Sequence, residues 1–278
     1  MISKPTGGRK RPGLCIPVFF LSLTLLHAQD SWGPAHSLAL GGCTSHPHRQ
    51  APFGNPAPGL LREAGTRQFH LHHSFPTRVP ELSLVSLAAT FPWGTGRLSP
   101  GVGSRGLPGM RQTFLTVSYG MPLGESSSAG LRLTTRVTRL PGDWLHHPAL
   151  GFDLGYRQVL THRWALAFLL EERREQAPEV PEGRLWRTTL TAGFSFEFFE
   201  RFLFVTDVRA TSGQVLESRH GLEIDAGKAA TLCLGFHTHP PGLSGGIRLT
   251  AGTWNLVCGT HSLARSGLQS ALSLDHGW

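Results

Sequence analysis

The sequence predicts an all-β fold, an antiparallel up-and-down transmembrane β-barrel of about 12–14 strands, and three observations carry that reading. Apolar and polar residues alternate with a period of two along most of the chain after about residue 110, the pattern of strands with one apolar and one polar face. Of 278 residues, 34 are Gly and 20 are Pro, while charged residues make up only 16%. Helical bundles and disordered chains have other compositions. Finally, the polar positions of the alternating runs hold Gly, Ser, Thr and Arg more than Lys or Glu, which suits a crowded interior better than an open water face. A soluble sandwich is the alternative architecture. The unbroken succession of strands favours one closed sheet with its apolar face to lipid.

The elements follow in order. Lys4, Arg9, Lys10 and Arg11 precede an apolar stretch from Cys15 to Leu26, and His27-Ala28-Gln29 follows, so residues 1–28 read as a cleaved export signal peptide. Residues 29–66 are not strand-like and form an N-terminal segment of their own. Strands are expected at 67–74, 82–91, 112–121, 128–139, 149–159, 163–171, 187–199, 201–210, 214–225, 229–238, 244–251, 253–261 and 267–278. Leu115, Val117 and Tyr119 alternate with Thr116, Ser118 and Gly120, and Leu190, Ala192, Phe194, Phe196 and Phe198 with Thr191, Gly193, Ser195 and Glu197. Turn signals such as Pro122-Leu-Gly124, Ala226-Gly-Lys228 and Pro240-Pro-Gly242 separate the runs. The segments 92–111 and 172–186, Gly/Pro-rich or polar, read as loops. The last run, through Leu272 and Leu274 to Trp278, is an alternating strand with a terminal aromatic and resembles the assembly signal of bacterial outer-membrane barrels.

Charge and cysteine content narrow the function. The formal charge is +8, but loss of the four basic residues of the signal leaves 22 basic against 18 acidic residues, and the arginines form no single run. Nucleic acid is therefore not expected as a partner. Cys43, Cys233 and Cys258 lie in an exported chain without a C-x-x-C pair, so neither a disulfide scaffold nor a zinc motif is indicated. A Cys233–Cys258 bridge between nearby strands is weighed against two small buried residues, and the second is preferred. Leu40-Gly-Gly-Cys43 has the form of a lipidation box but lacks an apolar segment directly before it.

Two catalytic-looking motifs have plainer readings. Gly242-Leu-Ser244-Gly-Gly246 matches a nucleophile elbow but follows Pro240-Pro241 and reads as a hairpin turn. Gly101-Val-Gly103-Ser-Arg-Gly106 matches a dinucleotide fingerprint but opens no helix and reads as a loop. No enzyme activity and no cofactor are expected. The pairs His70/His72, His146/His147 and His237/His239 could ligate a metal. Without clustered Cys or carboxylates beside them, no metal site is assigned.

Phe53-Gly-Asn-Pro-Ala57, Tyr119-Gly-Met-Pro-Leu-Gly124 and Ala129-Gly-Leu131 resemble motifs of a family of Bacteroidetes outer-membrane proteins, the PorV/PorQ-like barrels, more distantly related to the FadL-type transporters of fatty acids. The resemblance implies a barrel of about fourteen strands in the Gram-negative outer membrane, with the N-terminal segment folded into the lumen and Asn55, Pro56 and Ala57 as its hatch motif. FadL-type relatives pass hydrophobic molecules and PorV-type relatives serve a type IX secretion complex, so two functions are implied: passive transport or binding of a hydrophobic small molecule, or a non-enzymatic accessory role with secretion-system proteins as partners. Outer-membrane lipids and the barrel-assembly machinery are expected partners in either case.

Arg132, Arg136, Asp153, Arg157, Glu197, Asp207, Arg209 and Arg248 occupy polar positions of the alternating strands and are candidate luminal charges. Opposite signs are present, so an internal ion-pair network is the preferred role. Arginines holding an anionic head group through forked hydrogen bonds are the alternative. Trp144, Trp164, Trp186, Phe198, Phe199, Phe202 and Trp254 fall near strand ends, where membrane-interface belts place aromatic residues.

Overall fold

In the computed structural model the described residues are 35–40, 42–44, 53–57, 67–76, 83–107, 110–139, 146–176, 184–199, 201–263 and 267–278. The expected signal peptide and Trp144 lie outside them. Fourteen strands follow one short helix, α1 (Ala35–Ala39). They are β1 (Gln68–Pro76), β2 (Leu84–Trp93), β3 (Gly96–Leu107), β4 (Met110–Pro122), β5 (Ser127–Arg139), β6 (His146–Val159), β7 (Trp164–Gln176), β8 (Arg184–Phe198), β9 (Phe202–Thr211), β10 (Glu217–Asp225), β11 (Ala230–Thr238), β12 (Pro241–Ala251), β13 (Trp254–Leu263) and β14 (Gly267–Gly277). Each pairs antiparallel with its sequence neighbours, and β1 pairs with β14 to close the barrel. The backbone amides and carbonyls of Arg67 and Trp278 bond reciprocally at 3.0 Å at the seam. Closure leaves no unpaired edge, the condition a sheet must meet to sit in a medium without water.

The alternation is inside out. Leu115 and Val117 are 58% and 50% exposed, while Thr116 and Ser118 between them are 5% exposed. The outer face carries Leu131, Leu133, Leu154, Phe168, Leu190, Leu232, Leu234 and Phe236, and the interior carries the buried Arg, Asp, Ser, Thr and His side chains. Soluble monomers rarely expose a continuous apolar band of this kind. Strands of 9 to 15 residues match the roughly 9–11 residues needed to cross a bilayer core as tilted strands. Among the described residues no helix is long and apolar enough to cross a membrane.

The rim with the shorter turns, where the β14 strand ends, gathers outward aromatics. Trp164 stacks on Phe196 at 4.1 Å, Phe198 on Phe202 at 5.1 Å, and His276 lies between Trp254 and Trp278 at 4.1 and 5.3 Å. An external cleft at this rim is lined by Arg163, Phe196, Phe198, Phe199 and Phe204.

Three sequence-based expectations are corrected. Residues 92–111 are not a loop: β3 occupies Gly96–Leu107, paired on both sides by β2 and β4. Gly and Pro depress intrinsic strand preference, but neighbours on both edges supply the ladder, and small inward residues are needed there. A Cβ at Gly101 would lie 3.2 Å from the Phe53 ring, and one at Gly103 would overlap Phe114. The segment 172–186 is likewise largely strand, since β7 runs to Gln176 and β8 begins at Arg184. The charged run Glu171–Arg174 hides it, because Glu171 and Arg173 point into a lumen where they pair. Gly242–Gly246 belongs to β12 and is not a turn, because the turn falls at His239–Pro240.

Candidate functional site: the plugged lumen

The described parts of the N-terminal segment lie against the inner wall, where the sequence has placed glycine. In the β-ladders Ala271, Gly259, Gly246 and Cys233 are successive cross-strand partners on β14, β13, β12 and β11. This forms a shallow rung, and α1 lies on it. A Cβ at Gly246 would come within 2.7 Å of the Ala39 Cβ, one at Gly259 within 3.3 Å of it, and one at Gly221 within 2.9 Å of the Leu40 Cβ. On another arc of the wall Gly130 of β5 pairs with Gly155 of β6. A Cβ at Gly130 would overlap the Pro56 carbonyl, and one at Gly155 the Asn55 side-chain oxygen. Glycine here lets two backbones approach closely, which a side chain would forbid.

Polar groups of the wall hold the segment in place. The Ala35 amide donates to Ser273 Oγ at 3.0 Å, Ser244 Oγ donates to the Ala39 carbonyl at 3.0 Å, and Arg219 Nη1 donates to the Gly42 carbonyl at 3.0 Å. Asp207 Oδ2 accepts from the Thr44 amide at 2.6 Å and from its hydroxyl at 3.0 Å. Leu40 and Cys43 pack with Leu203, Val205 and Cys233 in an apolar cluster beneath. Asn55 Nδ2 donates to the Phe168 carbonyl at 3.2 Å, and Asn55 Oδ1 accepts from the Ala57 amide at 2.9 Å, an Asx turn that shapes the Asn-Pro-Ala motif. Arg132 Nη1 donates to the Gly54 carbonyl at 2.6 Å.

All eight expected luminal charges take the inward parity of their strands. Arg132 pairs with Asp153, which is fully buried and also accepts from Arg173 at 2.5 Å. Arg209 lies 3.6 Å from Glu171 and 3.9 Å from Glu217, and Arg248 lies 3.5 Å from Glu223. Asp207 turns to Thr44. Arg157 is 1% exposed, and Arg136 and Glu197 also face inward. Arg105, Glu171, Arg173, Glu217, Arg219 and Glu223 share the interior and are absent from the sequence-based set. Parity along β10 identifies Glu217, Arg219 and Glu223, whereas Arg105, Glu171 and Arg173 sit in or beside the segments read as loops.

The histidines divide between the two faces. His70 and His72 point inward as expected, but His70 Nδ1 meets Asp275 at 2.8 Å and His72 Nδ1 meets Ser273 at 2.9 Å, so each engages a different β14 side chain. His237 stacks on His261, with Nε2 atoms 2.7 Å apart, while His239 is exposed in its turn. The side chains of His146, His147 and Trp186 lie outside the described residues. Cys233 faces inward and Cys258 outward, so the bridge between them is ruled out, and all three described cysteines are free. Burial, then the neighbouring Asp207 carboxylate, pushes the Cys43 thiol well above its ordinary range, so it stays protonated. Leu272 and Leu274 take the outward face of β14, and Trp278, just past its end, is exposed.

No protein-family model matches the chain, and no curated protein matches it. Solved structures do. The CymD monoaromatic hydrocarbon channel superposes with a TM-score of 0.66 at 13% identity, over 90% of this chain and 98% of that one. The Ralstonia pickettii toluene transporter TbuX gives 0.61 at 13% identity, over 88% and 97%. A Pseudomonas aeruginosa FadL homologue gives 0.60 at 11% identity, over 88% and 98%. The fold is shared. At this identity the likeness is one of architecture, and it extends over nearly the whole length of each neighbour.

Proposed function

We propose that the chain is a passive, non-enzymatic outer-membrane channel for small hydrophobic molecules, with the N-terminal segment as its plug. The observation that carries the reading is the combination of an apolar outer band with described pieces of the chain's own N-terminal segment seated on glycine rungs inside the barrel. Neighbours described as hydrocarbon channels and a toluene transporter support the solute class. Export by the 1–28 signal, insertion by the barrel-assembly machinery through Leu272, Leu274 and Trp278, and contact with outer-membrane lipids complete the proposal. The Tyr119–Gly130 and Asn55–Ala57 motifs support a PorV/PorQ-like branch and a Bacteroidetes source. The secretion-accessory alternative finds no support among the structural neighbours.

The wall itself suggests where a hydrophobic solute leaves. The β2–β3 ladder runs from Leu84↔Arg105 to Ala88↔Gly101 and resumes at Phe91↔Leu98, skipping Ala89 and Thr90 opposite Pro100 and Ser99. Proline has no amide to donate. Thr90 and Ser99 meet there through their hydroxyls, at 2.8 Å. Phe53 and Phe114, edge to face at 6.0 Å, lie beside this gap with Gly101 and Gly103. The route runs from the lumen past this aromatic pair and sideways into the membrane.

The test is a Thr90→Cys/Ser99→Cys pair in a Cys258→Ser background, assayed for uptake of labelled toluene into proteoliposomes. Oxidation should reduce uptake at least ~10-fold, and reduction should restore it. Equal uptake in both states overturns the lateral route. No protein-dependent uptake of any apolar solute overturns the channel.

A further inference from the structure

Helix α1 meets the wall at a cluster with different chemistry from the rest of the lumen. His36 extends from α1 between Glu223 of β10 and Cys233 of β11, which are direct cross-strand partners. His36 Nε2 lies 2.5 Å from Glu223 Oε1, and His36 Nδ1 lies 3.9 Å from Cys233 Sγ. One donor atom from each of the three falls within 4.8 Å of the others, and all three side chains are buried. This is the one such group among the described residues.

We propose that His36, Glu223 and Cys233 form a binding site for a zinc-class divalent transition-metal ion that staples the plug to the barrel wall. Nitrogen, carboxylate oxygen and thiolate sulfur are the zinc donor set. In a tetrahedral site with Zn–S about 2.3 Å and Zn–N about 2.0–2.1 Å, donors sit roughly 3.3–3.6 Å apart, so the cluster closes by about an ångström. The imidazole must turn so that one nitrogen faces both partners, which it bridges at present with two. Thiolate and carboxylate offset the charge of the ion. Arg248, 3.5 Å from Glu223 Oε2, occupies the other carboxylate oxygen and orients Oε1 toward α1, the task of an outer-shell partner. The same three residues in a row also have the order of a thiol–imidazole–carboxylate relay. Cys233 is 1% exposed beneath α1, however, and a nucleophile there could reach no substrate.

The site joins the N-terminal segment to two strands of the wall, so the ion is a fastener and not a catalytic group. It stands independently of the transport reading. The test uses the purified mature barrel, stripped with chelator and titrated with Co²⁺. One ion per chain should bind, with four-coordinate visible bands and a thiolate-to-cobalt charge-transfer band. Cys233→Ser should remove the charge-transfer band, Cys43→Ser and Cys258→Ser should keep it, and His36→Gln and Glu223→Gln should each weaken binding at least ~10-fold. A heat-dependent shift in SDS mobility confirms that each variant is folded. Absence of the charge-transfer band in the wild type, or its survival in folded Cys233→Ser, overturns the proposal.

Discussion

Asp207→Asn should loosen the plug without loosening the barrel. The buried Asp207 carboxylate accepts both the Thr44 amide at 2.6 Å and the Thr44 hydroxyl at 3.0 Å. Hydrogen bonds to a charged acceptor contribute about 1.5–3 kcal/mol and neutral ones about 0.5–1.5, so an amide in its place forfeits about 1 kcal/mol per bond and about 2 in total. At 1.4 kcal/mol per factor of ten, the docked-to-released ratio of this segment falls ~30-fold. Hydrogen exchange read by mass spectrometry on the whole protein measures that ratio directly, since locally opened segments exchange at rates set by their own opening free energy. The peptide covering residues 35–44 should exchange ~30-fold faster in the variant, with β13 and β14 unchanged. Thr44→Val, which deletes the hydroxyl donor alone, should give part of the effect and add less than independently to Asp207→Asn. Unchanged protection of residues 35–44, or an equal loss across β8, β9 and β10, refutes the reasoning. The carboxylate would then be holding the wall and not the plug.

Asp153→Asn should cost about 3–5 kcal/mol of barrel stability, because it strips a fully buried partner from Arg132 and Arg173, whereas Asp153→Leu with Arg132→Leu should cost less; urea unfolding in lipid vesicles reads both. Leu133→Arg, on the outer face halfway along β5, should cost about 2–4 kcal/mol in the same assay if that face meets hydrocarbon, and under about 0.5 if it meets water.

What the sequence conveyed was parity. Once a strand is recognised, each alternate residue falls on one face, and that is why the sequence alone puts Arg132, Asp153, Arg157, Asp207 and Arg248 on the inward face that they occupy. Parity fails where a strand is not recognised. In β3, Pro100 and four glycines erase the β-branched and aromatic preference by which strands are read, and the pairing that rescues it comes from β2 and β4, outside the segment itself. In β7, the run Glu171–Arg174 reads as solvated because the sequence does not reveal that Asp153 pairs with Arg173 and Arg209 with Glu171. The seat of the plug was half legible. Asn55-Pro-Ala57 stood out as a motif, but the glycines that receive it, Gly130 and Gly155, lie 75 and 100 residues further on, and only the register of β5 against β6 brings them together.

The preferred sequence reading of the luminal charges, a network that keeps the barrel rigid, describes only part of their work. Arg132 and Arg219 each split their guanidinium between a carboxylate and a carbonyl of the N-terminal segment, Gly54 and Gly42 respectively. Asp207 serves Thr44. The charges therefore help to hold the segment in place. Residues 35–44 are held from Ser273, Ser244, Arg219 and Asp207, with His36 against Glu223, and residues 53–57 by Asn55 to Phe168, Arg132 to Gly54 and Phe53 against Phe114. Residues 53–57 lie beside Phe114, Gly101 and the skipped pairing at Pro100. In the proposed channel, a solute that displaced only the turn at 53–57 would open the lumen toward that skipped pairing and leave α1 seated. On the proposed reading, the plug need not leave the barrel for the channel to conduct.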